Sequence, residues 1–290
     1  MNSFNKFLKK LKRVFLFAYL YILNSKKTQQ IIDPSTNVIV TLTSHSDRIK
    51  RVFATIESIG LGDILPSRII LFLNLKNATD SLPLNLQRLK TRGLEIKFHE
   101  DFGPHTKYFP YLQTESNLTA PLVTADDDKL YDKDWLLKLL SAWEHDPDTV
   151  HCFRARKMKF ENGVLAPYST WPLCSETSPS LTNFATGVSG VIYPPRLQIA
   201  LKSAGSAFLD CCPKADDIWL HANTIRNGFR IRQIEEKSRH FFGIPGSSRS
   251  ALHLSNLAGG DNDIQILRTY SKSDLSLLQQ DKSIGKNKHP

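Results

Sequence analysis

The feature that most constrains the fold is a regular alternation of β-rich runs and helical segments between residues 38 and 98. Three runs have the composition or the alternation of strands: residues 38–43 (VIVTLT), 69–73 (IILFL) and 94–98 (LEIKF). The intervening residues 48–59 and the stretch after Pro83 place apolar side chains at helical spacing. This order predicts an α/β fold with a mostly parallel central sheet and helices on both faces. Ligands of such sheets bind beyond the carboxyl ends of the strands, so functional residues should directly follow the apolar runs.

The second half of the chain is less regular but continues the same pattern. The length of 290 residues and the hydrophobic fraction of 41% suit one large domain. Further strands are predicted over residues 121–125, 150–160, 188–193 and 229–234, with a helix over 216–227 and a long surface loop over 161–180. The four cysteines have no CxxC spacing, so the sequence predicts neither a disulfide framework nor a thiolate zinc site.

The positive charge is concentrated at one end of the chain. The formal net charge is +10, and residues 1–30 hold seven Lys or Arg side chains and no acidic residue. The rest of the chain is therefore close to neutral, apart from a small lysine excess after residue 271. A nucleic-acid-binding domain carries its basic patch on the folded domain, so no nucleic-acid partner is expected.

The basic N-terminal segment has the pattern of a helix that lies on a membrane surface. Phe4, Phe7, Leu8 and Leu11 share one helical face, lysines occupy the other, and the apolar run 14–23 is too short to span a bilayer. A helix docked on its own domain or on a partner is the alternative. We therefore expect a membrane-associating arm over residues 1–30, a catalytic-type domain over 31–270 and a flexible polar tail over 271–290.

The sharpest chemical signal is a run of three aspartates, Asp126 to Asp128, at the end of a predicted strand. Adjacent carboxylates repel one another, and a hard divalent cation relieves that repulsion because it prefers carboxylate oxygen. In an extended strand Asp126 and Asp128 would point to the same side, which predicts a Mn²⁺ or Mg²⁺ site that shares its cation with phosphate oxygens. A helix cap or acidic turn is the alternative.

Four stretches together resemble the GT-A-fold glycosyltransferases, in particular family-2-like members of the bacterial surface-polysaccharide type. They are the DDD run followed by Tyr131, the first strand with its loop to Arg48, the glycine segment 185–195, and the acidic pair in residues 214–220 (KADDIWL). The similarity covers roughly residues 38–265. It implies a GT-A-like fold and a sugar transfer from a nucleotide-sugar donor.

The resemblance also implies residue roles. Asp217 matches the base of the acidic pair, with Asp216 as the alternative, and Asp128 and Asp126 match the metal ligands. His253 is a candidate for a further metal ligand, although a half-buried structural histidine is the alternative. The donor-binding set is expected to comprise Thr43, Ser44, Arg48, Lys107, Asp126, Asp127, Gly187 and Gly190. A carboxylate at the start of a helix also serves as a cap, so capping stays open for Asp216 and Asp217.

The functional expectation is a metal-dependent glycosyltransferase that inverts the anomeric carbon. A UDP-sugar is the favoured donor, and a glycan or lipid-linked acceptor at a membrane surface is the expected acceptor, as in polysaccharide or lipopolysaccharide synthesis. The preferred location is the cytoplasmic face of the bacterial inner membrane, with a Golgi-type lumen as the alternative. Two other functions stay open, a sugar nucleotidyltransferase and a membrane-tethered, non-catalytic carbohydrate- or cation-binding protein. The sequence has no P-loop, GxGxxG, HExxH or GxSxG motif.

Overall fold

The computed structural model describes residues 3–77, 81–247 and 260–286. Its strands β1 to β13, in chain order, are Ile39–Thr43, Arg68–Asn74, Leu94–His99, Leu122–Thr124, Lys129–Leu130, Thr149–Cys152, Ala155–Lys157, Phe160–Glu161, Val164–Leu165, Asn183–Ala185, Val191–Tyr193, Arg230–Gln233 and Phe242–Gly243. Its helices α1 to α10 are Ser3–Lys26, Phe53–Ile59, Leu84–Lys90, Phe109–Thr114, Trp135–His145, Pro195–Ala204, Phe208–Cys211, Asp216–Arg226, Asp261–Thr269 and Lys272–Lys286. Short 3-10 turns cover Ser46–Lys50, Leu75–Asn77, Gly103–Lys107, Tyr168–Thr170 and Gly187–Ser189.

Seven strands form one central sheet in the order β12-β6-β11-β4-β1-β2-β3. The pairs β3–β2, β2–β1, β1–β4 and β6–β12 are parallel, and β11 runs antiparallel to both of its neighbours. The predicted fold class, a mostly parallel α/β sheet covered by helices, is confirmed. Six carboxyl ends therefore lie at one edge of the sheet, where the amino end of β11 joins them.

Each face of the sheet has its own hydrophobic core, because successive side chains of a strand point to opposite faces. On one face Val40 and Leu42 of β1 pack with residues of α1, α2, α3 and α5. On the other face Ile70 and Phe72 of β2 pack with residues of α4, α6, α8 and α10. The continuous apolar runs in the sequence follow from this burial on both sides.

The N-terminal helix is attached to the domain by its C-terminal half. Leu20 is completely buried, and the Asn24 side-chain amide donates a hydrogen bond of 2.9 Å to Glu57. Glu57 is itself buried in an ion pair with Arg92. The docked arrangement that the sequence left open is therefore present over this half. The first half exposes large apolar side chains such as Phe7 and Leu11. No helix in the described ranges is long and apolar enough to cross a membrane.

The predicted flexible tail after residue 271 is wrong for the part that the structure describes. Residues 272–286 form α10, in which Leu278 is completely buried. Asp274 accepts a hydrogen bond of 2.8 Å from Arg226 of α8, and Asp281 forms an ion pair with Arg230 of β12. The polar composition of this segment suggested that it is loose. Its partners lie far away in the sequence, so the local pattern could not show that the segment is docked.

We expect Leu278→Ala to lower the free energy of unfolding by about 2–4 kcal/mol, because the truncation leaves a cavity in a closed core. The matched control is Leu277→Ala, since Leu277 is 36% exposed on the same helix. Urea unfolding followed by tryptophan fluorescence measures both variants. Equal, small effects of the two substitutions would contradict the docking of α10.

Candidate functional site

A cavity of about 790 Å³ lies at the carboxyl edge of the sheet. The loops that follow β1, β4 and β6 line it, together with the turn Gly187–Ser189 and the start of α8. This is the position expected for a ligand of an open α/β sheet, and the volume suits a molecule the size of a nucleotide sugar. The lining is rich in both acidic and basic side chains.

Asp127 is the structural member of the aspartate run. Its carboxylate accepts a hydrogen bond of 2.7 Å from the Ser44 hydroxyl and one of 2.7 Å from Arg48 Nη1, and its backbone oxygen accepts one from Thr55. Burial raises the pKa of Asp127, although Arg48 and Ser44 oppose the rise. Asp127 thus fixes the acidic segment to the β1 loop and to α2.

Asp126 and Asp128 are more open to the cavity. Asp128 lies 3.3 Å from Arg48 Nη2 and 3.2 Å from the Lys129 ammonium, and Asp126 lies 3.2 Å from the Lys107 ammonium. Burial opposes the ionisation of Asp126, but Lys107, Lys129 and Arg48 outweigh it and lower its pKa. The three carboxylates do not point to alternate sides, as the sequence predicted for an extended strand, because β4 already ends at Thr124. Arg48 accordingly contacts the neighbouring carboxylates of both Asp127 and Asp128.

The pair Asp126 and Asp128 fits a divalent cation that takes most of its ligands from elsewhere. Their side chains are 23% and 15% exposed, and both offer hard oxygen ligands. Within residues 3–77, 81–247 and 260–286, no group of three His, Cys, Asp or Glu side chains is arranged as a complete ligand set. A nucleotide-bound Mg²⁺ or Mn²⁺ needs only one or two carboxylates from the protein, since phosphate oxygens and water complete its coordination shell. His253, the other predicted ligand, lies outside the described residues.

Lys107 joins the aspartate run to the second acidic pair. Its buried ammonium lies 3.2 Å from Asp126 and 3.1 Å from Asp216. Burial alone would lower the pKa of Lys107, but Asp216, Asp126 and Asp217 reverse this effect and raise it well above its usual value. The lysine therefore stays charged and holds the two acidic groups at one point.

Asp217 has a different environment from that of Asp216. It accepts a hydrogen bond of 2.9 Å from the Gly187 amide, at the first turn of α8. A β-carbon on residue 187 would lie only 3.1 Å from Asp217 Oδ1, which explains the glycine there. Burial and the charge of Asp216 raise the pKa of Asp217 to about 7, and Lys107 only partly opposes them. A carboxylate with such a pKa is suited to general-base catalysis near neutral pH.

The structure brings most of the predicted site residues into the same cavity. The set that lines it is Thr43, Ser44, Arg48, Lys107, Asp126, Asp127, Asp128, Gly187, Asp216 and Asp217. Gly190 is the exception and is a correction. It has a positive φ of 94°, and a β-carbon there would lie 2.6 Å from the Trp135 ring. Its glycine is needed for the turn and for packing on Trp135, and it does not line the cavity.

Sequence reasoning missed a group of basic and aromatic residues that also line the cavity. They include Arg154, Arg156 and Tyr168. The two arginines lie within the segment 150–160 that was predicted to be extended, Arg156 in β7 and Arg154 directly before it, and their spacing of two places them on one side of that segment. That spacing was visible in the sequence. Tyr168 gave no signal, because it lies in a segment that was predicted to be a surface loop.

Comparison with known proteins gives a distant likeness in structure only. No protein-family model matches the sequence, and no curated protein matches it. Among solved structures, a mannosyltransferase from Pyrobaculum calidifontis in complex with GDP-Man and Mn²⁺ has a TM-score of 0.46 and 12% identity, with 97% of this chain and 90% of that chain covered.

Two other solved structures are similar at the same level. TarS 1–349 from S. aureus has a TM-score of 0.45 and 16% identity over 72% of this chain, which spans 60% of that chain. A 4-diphosphocytidyl-2C-methyl-D-erythritol synthase from Anaerococcus prevotii has a TM-score of 0.44 and 12% identity, with 81% and 98% covered. With TM-scores below 0.5, the function has to be argued from the site itself.

We expect Asp217→Asn to stabilise the protein at pH 8. Each kcal/mol gained in the free energy of unfolding should raise the melting temperature by roughly 2–4 °C. The pKa of Asp217 is raised on folding, so its ionised form costs stability above about pH 7. The gain should shrink as the pH falls from 8 towards 4, because the native carboxyl then becomes protonated. Thermal unfolding at several pH values measures this, with the exposed Asp148→Asn as the control. A gain that does not depend on pH would contradict the raised pKa.

Proposed function

We propose that the protein is a glycosyltransferase that moves a sugar from a nucleotide-sugar donor to an acceptor hydroxyl with inversion. The observation that carries the proposal is the placement of Asp217. A carboxylate with a pKa of about 7 shares one cavity with the cation-binding pair Asp126 and Asp128, and Lys107 connects the two groups. A base for the acceptor and a set of charges for the donor diphosphate are both needed for sugar transfer.

The donor end of the cavity lies at the aspartate run. Lys107 and Lys129 offer positive charge to a diphosphate, and Thr43 and Ser44 line the cavity at the end of β1. Asp126 and Asp128 would hold Mn²⁺ or Mg²⁺, which would stabilise the negative charge on the departing nucleoside diphosphate. A UDP-sugar is the donor class that we propose.

Asp217 would act at the acceptor end. Its carboxylate takes the proton of the acceptor hydroxyl as the oxygen forms its bond to the anomeric carbon, and the bond to the diphosphate oxygen breaks with its electron pair. Asp216 forms an ion pair with Lys107, so it is held away from the role of a second, nucleophilic carboxylate. One base without a nucleophile supports a single displacement, which inverts the anomeric carbon.

The first half of α1 supports a membrane location as part of this proposal. It exposes Phe7, Leu8 and Leu11 in a segment that also carries several lysines and no acidic residue. Such a surface suits a peripheral position on anionic lipid. We propose the cytoplasmic face of a bacterial inner membrane, with a glycan or lipid-linked acceptor of surface polysaccharide or lipopolysaccharide synthesis.

The alternative of a sugar nucleotidyltransferase is less well supported by the site. Such an enzyme has to cradle a triphosphate, usually with a glycine-rich basic loop after the first strand. Here the loop after β1 has no glycine, and its Arg48 is held by Asp127 and Asp128. Release of pyrophosphate from a nucleoside triphosphate and a sugar phosphate would identify this activity directly.

Thermal unfolding of the full-length chain with UDP, GDP, CDP, ADP and TDP tests the donor site. The full chain is required because Leu20 and Asn24 of α1 belong to the folded domain. One nucleotide at about 100 times its Kd should raise the melting temperature by roughly 5–10 °C in the presence of Mn²⁺. The shift should be lost in Asp128→Ala and kept in the exposed control Asp148→Ala. A folded protein that no nucleotide stabilises would contradict the proposal.

The pH dependence of nucleoside diphosphate release, with water as acceptor, tests the base. The rate constant kcat/KM should rise with pH and level off above about pH 7, because only ionised Asp217 accepts the proton. Asp217→Asn should lower it by roughly 10²- to 10⁴-fold. Asp216→Asn removes a neighbouring negative charge, so it should move the midpoint to lower pH. A non-catalytic binding protein would show no release above background in the wild type.

A further inference from the structure

The wall of the cavity beside Asp217 is a two-stranded ribbon of β7 and β10. In this antiparallel pair Phe184 lies opposite Arg156, and Ala185 lies opposite Ala155. Arg154 and Arg156 are two residues apart along the chain, so they share the side of the ribbon that lines the cavity. The proposed function so far assigns them no role.

The two arginines differ from the other cationic side chains of the cavity. Arg48, Lys107 and Lys129 each form an ion pair with a carboxylate of the site. In the described ranges, neither Arg154 nor Arg156 forms an ion pair, and the Nε of each is buried without a hydrogen-bond acceptor. Residues 248–259 contain no Asp or Glu, so that segment cannot supply a carboxylate partner either. Two neighbouring guanidinium groups without an ion-pair partner are costly to bury.

Both guanidinium groups are nevertheless held in place by neutral partners. Arg154 Nη1 donates a hydrogen bond of 2.8 Å to the Thr186 hydroxyl. Arg156 Nη1 donates one to the backbone oxygen of Trp171, and its guanidinium lies 5.2 Å from the centre of the Tyr168 ring. These contacts orient the arginines and leave both of them without an ion-pair partner in the described ranges. Such an arrangement is typical of a site that receives an anion.

The arginines lie on the acceptor side of the proposed base. Thr186, which binds Arg154, directly precedes Gly187, which binds Asp217. The aspartate run is connected to Asp217 less directly, through Lys107, which pairs with Asp126. An anion bound to Arg154 would therefore lie close to the hydroxyl that Asp217 deprotonates.

We propose that Arg154 and Arg156 bind an anionic group of the acceptor, a phosphate or a carboxylate, next to the hydroxyl that receives the sugar. This inference rests on the proposed function, since it names the acceptor's chemistry. A planar guanidinium group can donate two parallel hydrogen bonds to two oxygens of either anion. The ring of Tyr168 packs against the guanidinium of Arg156 and helps to hold it in place. The enzyme would therefore prefer a charged acceptor over the neutral sugar of the same shape.

Isothermal titration calorimetry with full-length protein tests the anion site without turnover. The probes are galactose 6-phosphate, glucuronate and neutral galactose, and the first two distinguish a phosphate from a carboxylate. The wild type should bind at least one charged probe more tightly than galactose. Arg154→Gln and Arg156→Gln should each weaken that probe by roughly 10- to 100-fold and leave galactose unchanged. Arg154→Lys should recover only part of the affinity, because the fork is lost while the charge is kept.

Arg196→Gln is the matched control, since Arg196 is exposed and paired with Asp148 away from the cavity. It should bind all three probes like the wild type, and circular dichroism confirms the folding of each variant. Equal affinity for charged and neutral probes in the wild type would overturn the inference, as would unchanged affinity in both glutamine variants.

Nucleoside diphosphate titrations separate this inference from the proposed function. Arg154→Gln should keep the wild-type affinity for the nucleotide, and a parallel loss would place Arg154 at the donor and overturn the acceptor site. If no nucleotide binds the wild type, the proposed function fails, while the titrations with charged probes still decide whether the arginines bind an anion.

Discussion

The site depends on one buried ion-pair network, the Lys107 ammonium between Asp126 and Asp216. Six carboxylates line a single cavity, and without an internal cation their repulsion would oppose folding. Lys107 follows β3, one carboxylate follows β4, and the other begins α8, so the lysine brings together three elements that are distant in sequence. Its own burial is costly, and three nearby carboxylates compensate that cost.

The same network separates the acidic residues into different roles. Asp127 is bound by Ser44 and Arg48, and Asp216 by Lys107, so both are held in place. Within the described residues, Asp217 has only the Gly187 amide as hydrogen-bond partner, and burial together with the neighbouring negative charge of Asp216 raises its pKa to about 7. Chemically identical side chains thus become tightly bound, open to the cavity or raised in pKa according to their neighbours. The energetic cost of the raised pKa is borne by the rest of the fold, as is common at functional sites.

The sequence predicted the parts of the molecule that depend on local pattern. The buried strands are continuous apolar runs, and functional residues follow strand ends by geometry, so the sheet class and the aspartate run could be read directly. Contacts between distant segments were not visible. Asp281 pairs with Arg230, which attaches the supposed tail to the domain, and Gly190 is required by Trp135 rather than by a ligand. Arg154 was overlooked because its position in the cavity wall without an ion-pair partner among the described residues is visible only in the folded chain.

The short helix α2 connects the N-terminal arm to the acidic site. All its residues are buried, and its Glu57 receives the Asn24 amide of α1. Two residues before Glu57, the Thr55 hydroxyl donates a hydrogen bond to the backbone oxygen of Asp127, and the Ser58 hydroxyl accepts one from the backbone amide of Tyr131. The same short helix therefore contacts both α1 and the acidic segment, with no flexible linker between the two contacts. If the first half of α1 lies on a membrane as proposed, it therefore does more than raise the local concentration of the enzyme. It fixes the distance between the cavity and the lipid surface, and thereby limits which hydroxyl of a membrane-bound acceptor can reach Asp217.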